Sequence, residues 1–165
     1  VLFSLVAILT IASFTAKAQV SATATSSATI ITPIAISKSI DLNFGNVAVS
    51  PSLAGTVQLS PASTRTAGGG VTLPVVTGTV SAAKFTVTGA AGSTFSISLP
   101  GAPITLTSGS NTMTVGTFTS NPTPTGTLTA GTQDVFVGAT LNVAAGQAAG
   151  VYTNATGLVV TVNYN

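Results

Sequence analysis

Short runs in which apolar and polar residues alternate, separated by Gly, Pro, Ser and Asn, recur along the chain from residue 19 onward. Val, Ile, Thr and Phe dominate these runs, and such side chains pack well on the pleated surface of a strand. No segment beyond residue 18 has a helical period, so the sequence predicts an all-β fold, an antiparallel β-sandwich. The apolar positions in phase are Ile40, Leu42 and Phe44; Val57 and Leu59; Phe85 and Val87; Phe95, Ile97 and Leu99; Val135 and Val137; Leu141 and Val143; and Leu158, Val160, Val162 and Tyr164.

Two stretches predict turns between strands. In PITLTSGSNTMTV, Ile104 and Leu106 precede a polar turn at residues 108–111, and Met113 and Val115 follow it, which is typical of a β-hairpin. The triple glycine at residues 68–70 lacks the Lys of a phosphate-binding loop and precedes no helix. We interpret it as the tip of a flexible hairpin.

The stretch QVSATATSSATIITPIAIS, residues 19–37, places mainly apolar or small residues at its even positions, from Val20 to Ile36. The 17 residues from Val20 to Ile36, fully extended, would span about 56 Å at about 3.3 Å per residue. A compact domain of the 147 residues from Gln19 to Asn165 has a diameter of only roughly 38 Å. Because Pro33 marks an edge or a break in a strand, we expect two strands. Residues 30–36 are predicted to be the first strand of a domain covering residues 30–165.

Residues 19–29 then form an N-terminal extension in the same register, available as a donor strand. The alternative is a disordered leader, since chain termini are poorly ordered unless they are held in place. The alternation favours the extension, because a linker has no physical reason to keep register.

Residues 1–18 form an apolar run that ends in Ala16-Lys17-Ala18. This pattern is typical of a secretory signal peptide that is cleaved before Gln19. A transmembrane anchor is the alternative, but the run is shorter than the about 20 residues that a spanning helix needs. Neither Met nor a basic region precedes the run, so we expect an N-terminally truncated signal peptide. The protein is then secreted, to the bacterial cell surface or beyond, and meets a membrane only during export.

Charged residues make up only 4% of the chain, against about 25% in an average soluble domain. Four basic and two acidic residues leave a net charge of +2 without a basic cluster, so we expect no nucleic-acid partner. The chain has no Cys and therefore no disulfide.

The side chains available for acid–base chemistry are few. Catalysis of this kind needs groups that titrate near neutrality or a nucleophile beside a base, and two isolated Asp residues cannot supply the clustered oxygens of a calcium site. We therefore expect no enzyme, no metal and no cofactor. The titratable candidates that remain are Lys38, Asp41, Lys84, Asp134, Tyr152 and Tyr164.

Several runs are similar to an uncharacterised secreted bacterial family, the domain of unknown function number four-four-zero-two. They include LNFGNVAV, GTVQLSPASTRTAGGGVTLP, SGSNTMTV, GATLNVAAGQAAGVYT and the C-terminal VTVNYN, in this order. More distantly, Phe44-Gly45 and Gly150-Val151-Tyr152 resemble the pilin and spore-coat-U-like domains of archaic chaperone–usher systems. That resemblance implies an incomplete immunoglobulin-like sandwich that polymerises when the N-terminal extension of one subunit completes the next. The cysteine pair of those domains is absent here.

These features favour a non-catalytic structural protein, a subunit of a cell-surface fibre or layer whose partner is another copy of itself. The near absence of charge agrees with this function, because little net charge weakens the repulsion between molecules. The alternative is a monomeric secreted adhesion module that binds a surface glycan or protein through loops such as residues 67–71 or 120–127. In the fibre hypothesis, the assembly positions are Val20, Ala22, Ala24, Ala28 and Ile30.

Overall fold

The computed structural model describes residues 19–165, and the predicted signal peptide lies outside the described residues. Ile31–Asn165 form one compact unit. No α-helix occurs in residues 19–165, which confirms the predicted all-β class. The strands are β1 (Ala35–Ile40), β2 (Ala48–Val49), β3 (Gly55–Leu59), β4 (Arg65–Gly69), β5 (Val71–Thr72), β6 (Ala83–Thr88), β7 (Thr94–Ser98), β8 (Ile104–Ser108), β9 (Asn111–Asn121), β10 (Thr125–Thr127), β11 (Thr132–Val143) and β12 (Thr161–Tyr164), with a 3₁₀ turn at Thr129–Gly131.

The largest sheet is built around β11. Along one side, the first half of β11 pairs with β6 and its second half with β3, and β9 pairs along the other side. β1 extends the sheet beyond β6, β4 beyond β3, and β8 beyond β9, and every pairing is antiparallel. Gly138 lies where β11 passes from β6 to β3. A Cβ atom there would collide with the backbone of Leu59 and Ser60, so only glycine fits.

A first hydrophobic cluster joins the β6 side of this sheet to a three-stranded sheet of order β10-β7-β12. Phe95 and Leu128 are its largest fully buried side chains. The ring of Phe95 lies against Gly126 of the neighbouring strand β10, where any side chain would overlap it. Burial of one such side chain contributes about 1.5–3 kcal/mol to folding. The buried members are Ala83, Phe85, Val87, Phe95, Leu128, Val135, Val137, Val160 and Val162.

A second cluster packs β3, β9 and the second half of β11 against the short β2-β5 ladder. Leu42 and Phe118 contact both clusters and connect the two parts of the core. The buried members of the second cluster are Phe44, Val57, Leu59, Val71, Val115, Ala139, Leu141 and Val143.

Several of the predicted strands are confirmed. The β8-β9 hairpin pairs Ile104 with Val115 and closes at Ser108 and Asn111, with Gly109 at positive φ in the turn. Val57 and Leu59 are buried on β3, and the predicted inward residues of β6 and the first half of β11 are buried as well. Period-two alternation therefore identified the core face of these strands correctly.

The predicted first strand is wrong in its bounds. β1 covers Ala35–Ile40 instead of residues 30–36, and residues 30–34 belong to no strand. Pairing with β6 begins at Ala35, two residues after Pro33, which has no N–H for a ladder. Ile34 and Ile36 still pack against the first cluster. The prediction that Ile34 and Ile36 point toward the core is therefore correct.

Two further expectations are corrected. Ile40 does not share a face with Leu42 and Phe44: it is 44% exposed, because the pairing of β1 with β6 shifts between Lys38 and Ile40. The triple glycine is not a hairpin tip, since residues 68 and 69 pair with β3 and residue 70 packs against the backbone of Leu53. Residues 67–71 accordingly lie in and between strands and do not form a binding loop.

Candidate functional site

The predicted assembly residues lie in a stretch where every side chain is exposed. Val20 and Ile30 are 92% and 97% exposed, and Ala22, Ala24 and Ala28 are exposed as well. Residues 19–30 belong to no strand. The structure therefore does not gather these five residues into a packed face.

The outer side of β1 carries features that hinder pairing with another strand. The β-bulge between Lys38 and Ile40 breaks its register, and Lys38 forms an ion pair with Asp41 just beyond the strand. Bulges and charged side chains on an edge are known means of preventing edge-to-edge association. β1 is therefore a poor acceptor for an added strand.

The outer side of β8 is covered by the connection between β11 and β12. Thr153 and Thr107 exchange two backbone hydrogen bonds of 3.0 Å each. The Asn154 side-chain amide donates to the Thr105 carbonyl at 2.7 Å, and its Oδ1 accepts the N–H groups of Thr156 and Gly157. These bonds hold the connection in place, so this edge is closed.

Two further edges of the main sheets, those at β10 and β4, are also unfavourable for pairing. β10 has only three residues and directly follows Pro124. β4 begins at Arg65, whose guanidinium donates to the carbonyls of Phe44 and Asn46 at 2.7 and 2.9 Å, and ends in Gly69 at positive φ. Short length, proline and charge each weaken an edge as an acceptor.

Residues 158–164, which we call the C-terminal edge segment, differ from these edges. Buried or half-buried side chains alternate with exposed ones throughout the segment, and Val159 is 61% exposed. Only Thr161–Tyr164 pair with β7. The next hydrogen-bonded pair of this ladder would join Val159 to Pro100, and proline has no N–H to donate. The side facing away from β7 pairs with no strand in residues 19–165. The segment contains no charge, proline or bulge.

The Tyr164 hydroxyl connects the last strand to the chain before β1. It donates to the Thr32 carbonyl at 2.7 Å and accepts the Ala90 N–H at 2.6 Å. Sequence reasoning placed Tyr164 on the last strand but missed this role, because the partners are 132 and 74 residues away. The absence of a side chain at Gly89, where a Cβ would collide with the hydroxyl, is the only sequence signal we find for it.

The charges on the sheet surface are paired. Lys84 and Asp134 form an ion pair of 2.8 Å, and the Thr86 hydroxyl donates to the same carboxylate at 2.8 Å. The hydrogen bond from Lys84, followed by that from Thr86, lowers the pKa of Asp134. The Lys84 ammonium also lies 5.7 Å from the centre of the Phe136 ring. Within residues 19–165, each charged side chain therefore has a partner: Lys38 with Asp41, Lys84 with Asp134, and Arg65 with two carbonyls.

Two of the open clefts on the surface of residues 19–165 are lined mainly by strand residues. The larger, of about 560 Å³, lies over the ends of β3, β9 and β11 and includes Thr56, Met113, Thr114, Asn142 and Gln147 in its lining. The smaller, of about 330 Å³, lies beside β10 and is lined by Asn121, Pro122, Thr125, Gly126, Thr127, Gln133, Asp134 and Phe136.

Among the described residues, no three His, Cys, Asp or Glu side chains come together as metal ligands. In that same part of the chain, no helix is long and apolar enough to cross a membrane.

These features define a class: an antiparallel all-β domain with few charges, all of them paired in the described region, and with one sheet edge, at residues 158–164, that carries no charge, proline or bulge. A family model, Domain of unknown function (DUF4402), matches residues 34–164, and the chain belongs to this family. The predicted family is thus confirmed, and residues 19–33 lie outside the matched domain. Comparison with curated proteins and with solved structures gave no match. The more distant resemblance to pilin and spore-coat-U-like domains stays a prediction.

Proposed function

We propose that this protein is a non-catalytic structural subunit of a bacterial cell-surface fibre or layer, and that residues 19–29 of one copy add as a β-strand to a neighbouring copy. The observation that carries the proposal is the state of residues 19–30, which are exposed and belong to no strand and yet keep the alternation of a strand in their sequence. In this proposal residues 1–18 direct export, and the domain is an immunoglobulin-like or pilin-like sandwich.

Strand addition uses the two properties that the extension has. Its N–H and C=O groups supply main-chain hydrogen bonds to a sheet edge, and alternate side chains enter the partner's surface. In an extended strand, Val20, Ala22, Ala24 and Ala28 share one face with Ser26, and the other face carries Ser and Thr from residue 21 to residue 29. Residues 19–29 carry no charge. Two copies can therefore approach without repulsion between the extension and the acceptor.

The experiment compares the protein from Gln19 to Asn165 with a variant that lacks residues 19–29. We expect the longer protein to elute in size-exclusion chromatography as oligomers that grow with concentration and to form fibres or sheets in negative-stain micrographs. The shortened variant should be monomeric.

A variant with Ala24→Pro is the matched control, because it keeps the length and composition of the extension but removes one N–H from its centre. It should assemble less than the unchanged protein. If both proteins, with and without residues 19–29, elute as monomers at every concentration, the proposal is wrong.

The second candidate is a monomeric adhesion module, and the smaller cleft is the observation that favours it. Beside residues 121–127, Phe136, Asp134 and Asn121 line one open depression. An aromatic ring with carboxylate and amide groups suits the apolar face and the hydroxyls of a sugar. Binding on a glycan array by a monomer, lost in Phe136→Ala and kept in Tyr152→Phe, would favour this function over assembly.

A further inference from the structure

We infer that the acceptor for the added strand is the open side of the C-terminal edge segment, and that its occupant is residues 20–28 of a second copy of this chain. This inference rests on the proposed function and names the partner surface that the function requires. The remaining steps concern the choice of edge, its hydrogen bonds and its side chains.

The choice of edge follows from what each edge carries. β1 has a bulge and the Lys38–Asp41 pair, and β8 is covered by residues 153 and 154. β10 follows a proline, and β4 begins with an engaged arginine. Such features are the means by which edges avoid pairing with other chains. The C-terminal edge segment has none of them, so the edge that lacks protection is the one we assign to assembly.

The direction of the backbone groups supports this edge. The Asn165 N–H donates to the Thr94 carbonyl on β7. Because alternate residues of an antiparallel ladder bond to the same neighbour, the N–H groups of Thr161 and Asn163 also point to β7. The N–H groups of Val160 and Val162 then point to the open side. Consecutive groups along this side are available to a second strand.

The side chains of the two segments are compatible in phase and size. The acceptor presents Val160, Val162 and Tyr164 toward the first cluster, where the two valines are buried and the tyrosine is half-buried. Small side chains suit the inward positions of a strand added beside them, and the extension supplies Ala, Ala, Ser and Ala at residues 22, 24, 26 and 28. Its outward Ser and Thr side chains match the exposed Thr161 and Asn163. Both segments are free of charge.

Disulfide trapping tests the inference cleanly, because the chain contains no Cys. Directly opposed residues on neighbouring strands have Cα atoms about 4.5–5.5 Å apart, which falls within the range of about 4.4–6.8 Å that a disulfide bridges. Donor proteins carry one cysteine at an outward position of the extension, in the series Ser21→Cys, Thr23→Cys, Thr25→Cys and Ser27→Cys. Each donor is mixed under mild oxidation with an acceptor that lacks residues 19–29 and carries Asn163→Cys.

The matched control acceptor carries Ser37→Cys, which is exposed on β1 at the protected edge. We expect one or two members of the donor series to form a disulfide-linked dimer with Asn163→Cys, and no member to do so with Ser37→Cys. The assigned edge would be overturned if the protein from Gln19 to Asn165 assembles but the donors cross-link to Ser37→Cys, or to neither acceptor; the proposed function would still stand. If the protein from Gln19 to Asn165 does not assemble, both the assigned edge and the proposed function are overturned.

Discussion

The Tyr164 hydroxyl offers the most direct measure of how firmly the chain before β1 is held to the domain. Tyr164→Phe removes the hydrogen bond to the Thr32 carbonyl and the one from the Ala90 N–H, and keeps the ring in place. Each bond contributes about 0.5–1.5 kcal/mol net. Thr32 is exposed, so water replaces the hydroxyl there, whereas the Ala90 N–H is partly buried and loses its partner. We expect the free energy of unfolding to fall by about 1–2 kcal/mol, which lowers Tm by about 3–8 °C.

The assay is urea unfolding followed by circular dichroism, with hydrogen exchange at residues 31–40 as a second readout. Tyr152→Phe is the control, because within residues 19–165 that hydroxyl bonds to Ala148 and Gln147, four and five residues away in the chain. A local pair of this kind does not join distant parts of the fold, so the control should lose less stability. Equal losses in the two variants, or unchanged exchange at residues 31–40 in Tyr164→Phe, would refute the reasoning.

Three further variants test other parts of the fold. Gly138→Ala places a methyl group against the backbone of β3 and should cost about 3 kcal/mol or more, since backbone cannot move aside as a flexible side chain can; an unchanged Tm would contradict this. Asp134 has a lowered pKa, so its contribution is present above the ordinary value of about 3.9 and is lost as pH falls through the lower value in the fold. In Asp134→Asn, urea unfolding between pH 2 and 7 should show a weaker loss of stability with acid than in the unchanged protein, and parallel curves would argue against the ion pair. Asn154→Ala should lose about 1–2 kcal/mol and be cut faster by proteases near residue 154; resistance equal to that of the unchanged protein would show that the side chain does not hold the cover over β8.

The alternation in the sequence was sufficient to predict strands wherever both faces of a strand differ clearly. Val57 and Leu59 on β3, and Ile104 to Val115 across the β8-β9 hairpin, were predicted from local pattern alone. The pattern failed at β1, where Pro33 delays the start of pairing and the bulge at Ile40 reverses the phase. A bulge inserts one residue into a strand and reverses the faces of the residues beyond it, and the alternation in the sequence does not show where such an insertion occurs.

Only part of the candidate site could be addressed from the sequence. The sequence predicts which residues of the extension would share a face in a strand, because that depends on neighbours along the chain, and this stays a prediction. It did not indicate which sheet edge stays open, because edges are decided by pairings between distant residues, such as Thr153 with Thr107. The limit set by Pro100 on the pairing of β12 was visible in the sequence only once the register of β7 was known.

The central position of β11 determines the order in which this protein can fold. The hairpins β3-β4 and β8-β9 lie within short stretches of chain, but the strand that unites β3, β6 and β9 is Thr132–Val143, near the end of the sequence. A chain that emerges from the ribosome with its N-terminus first holds these strands without their common neighbour until residue 143 has appeared. Pairing across such sequence distances is slow and leaves strand edges exposed in the meantime. The core of the protein therefore forms only after most of the chain has been synthesised.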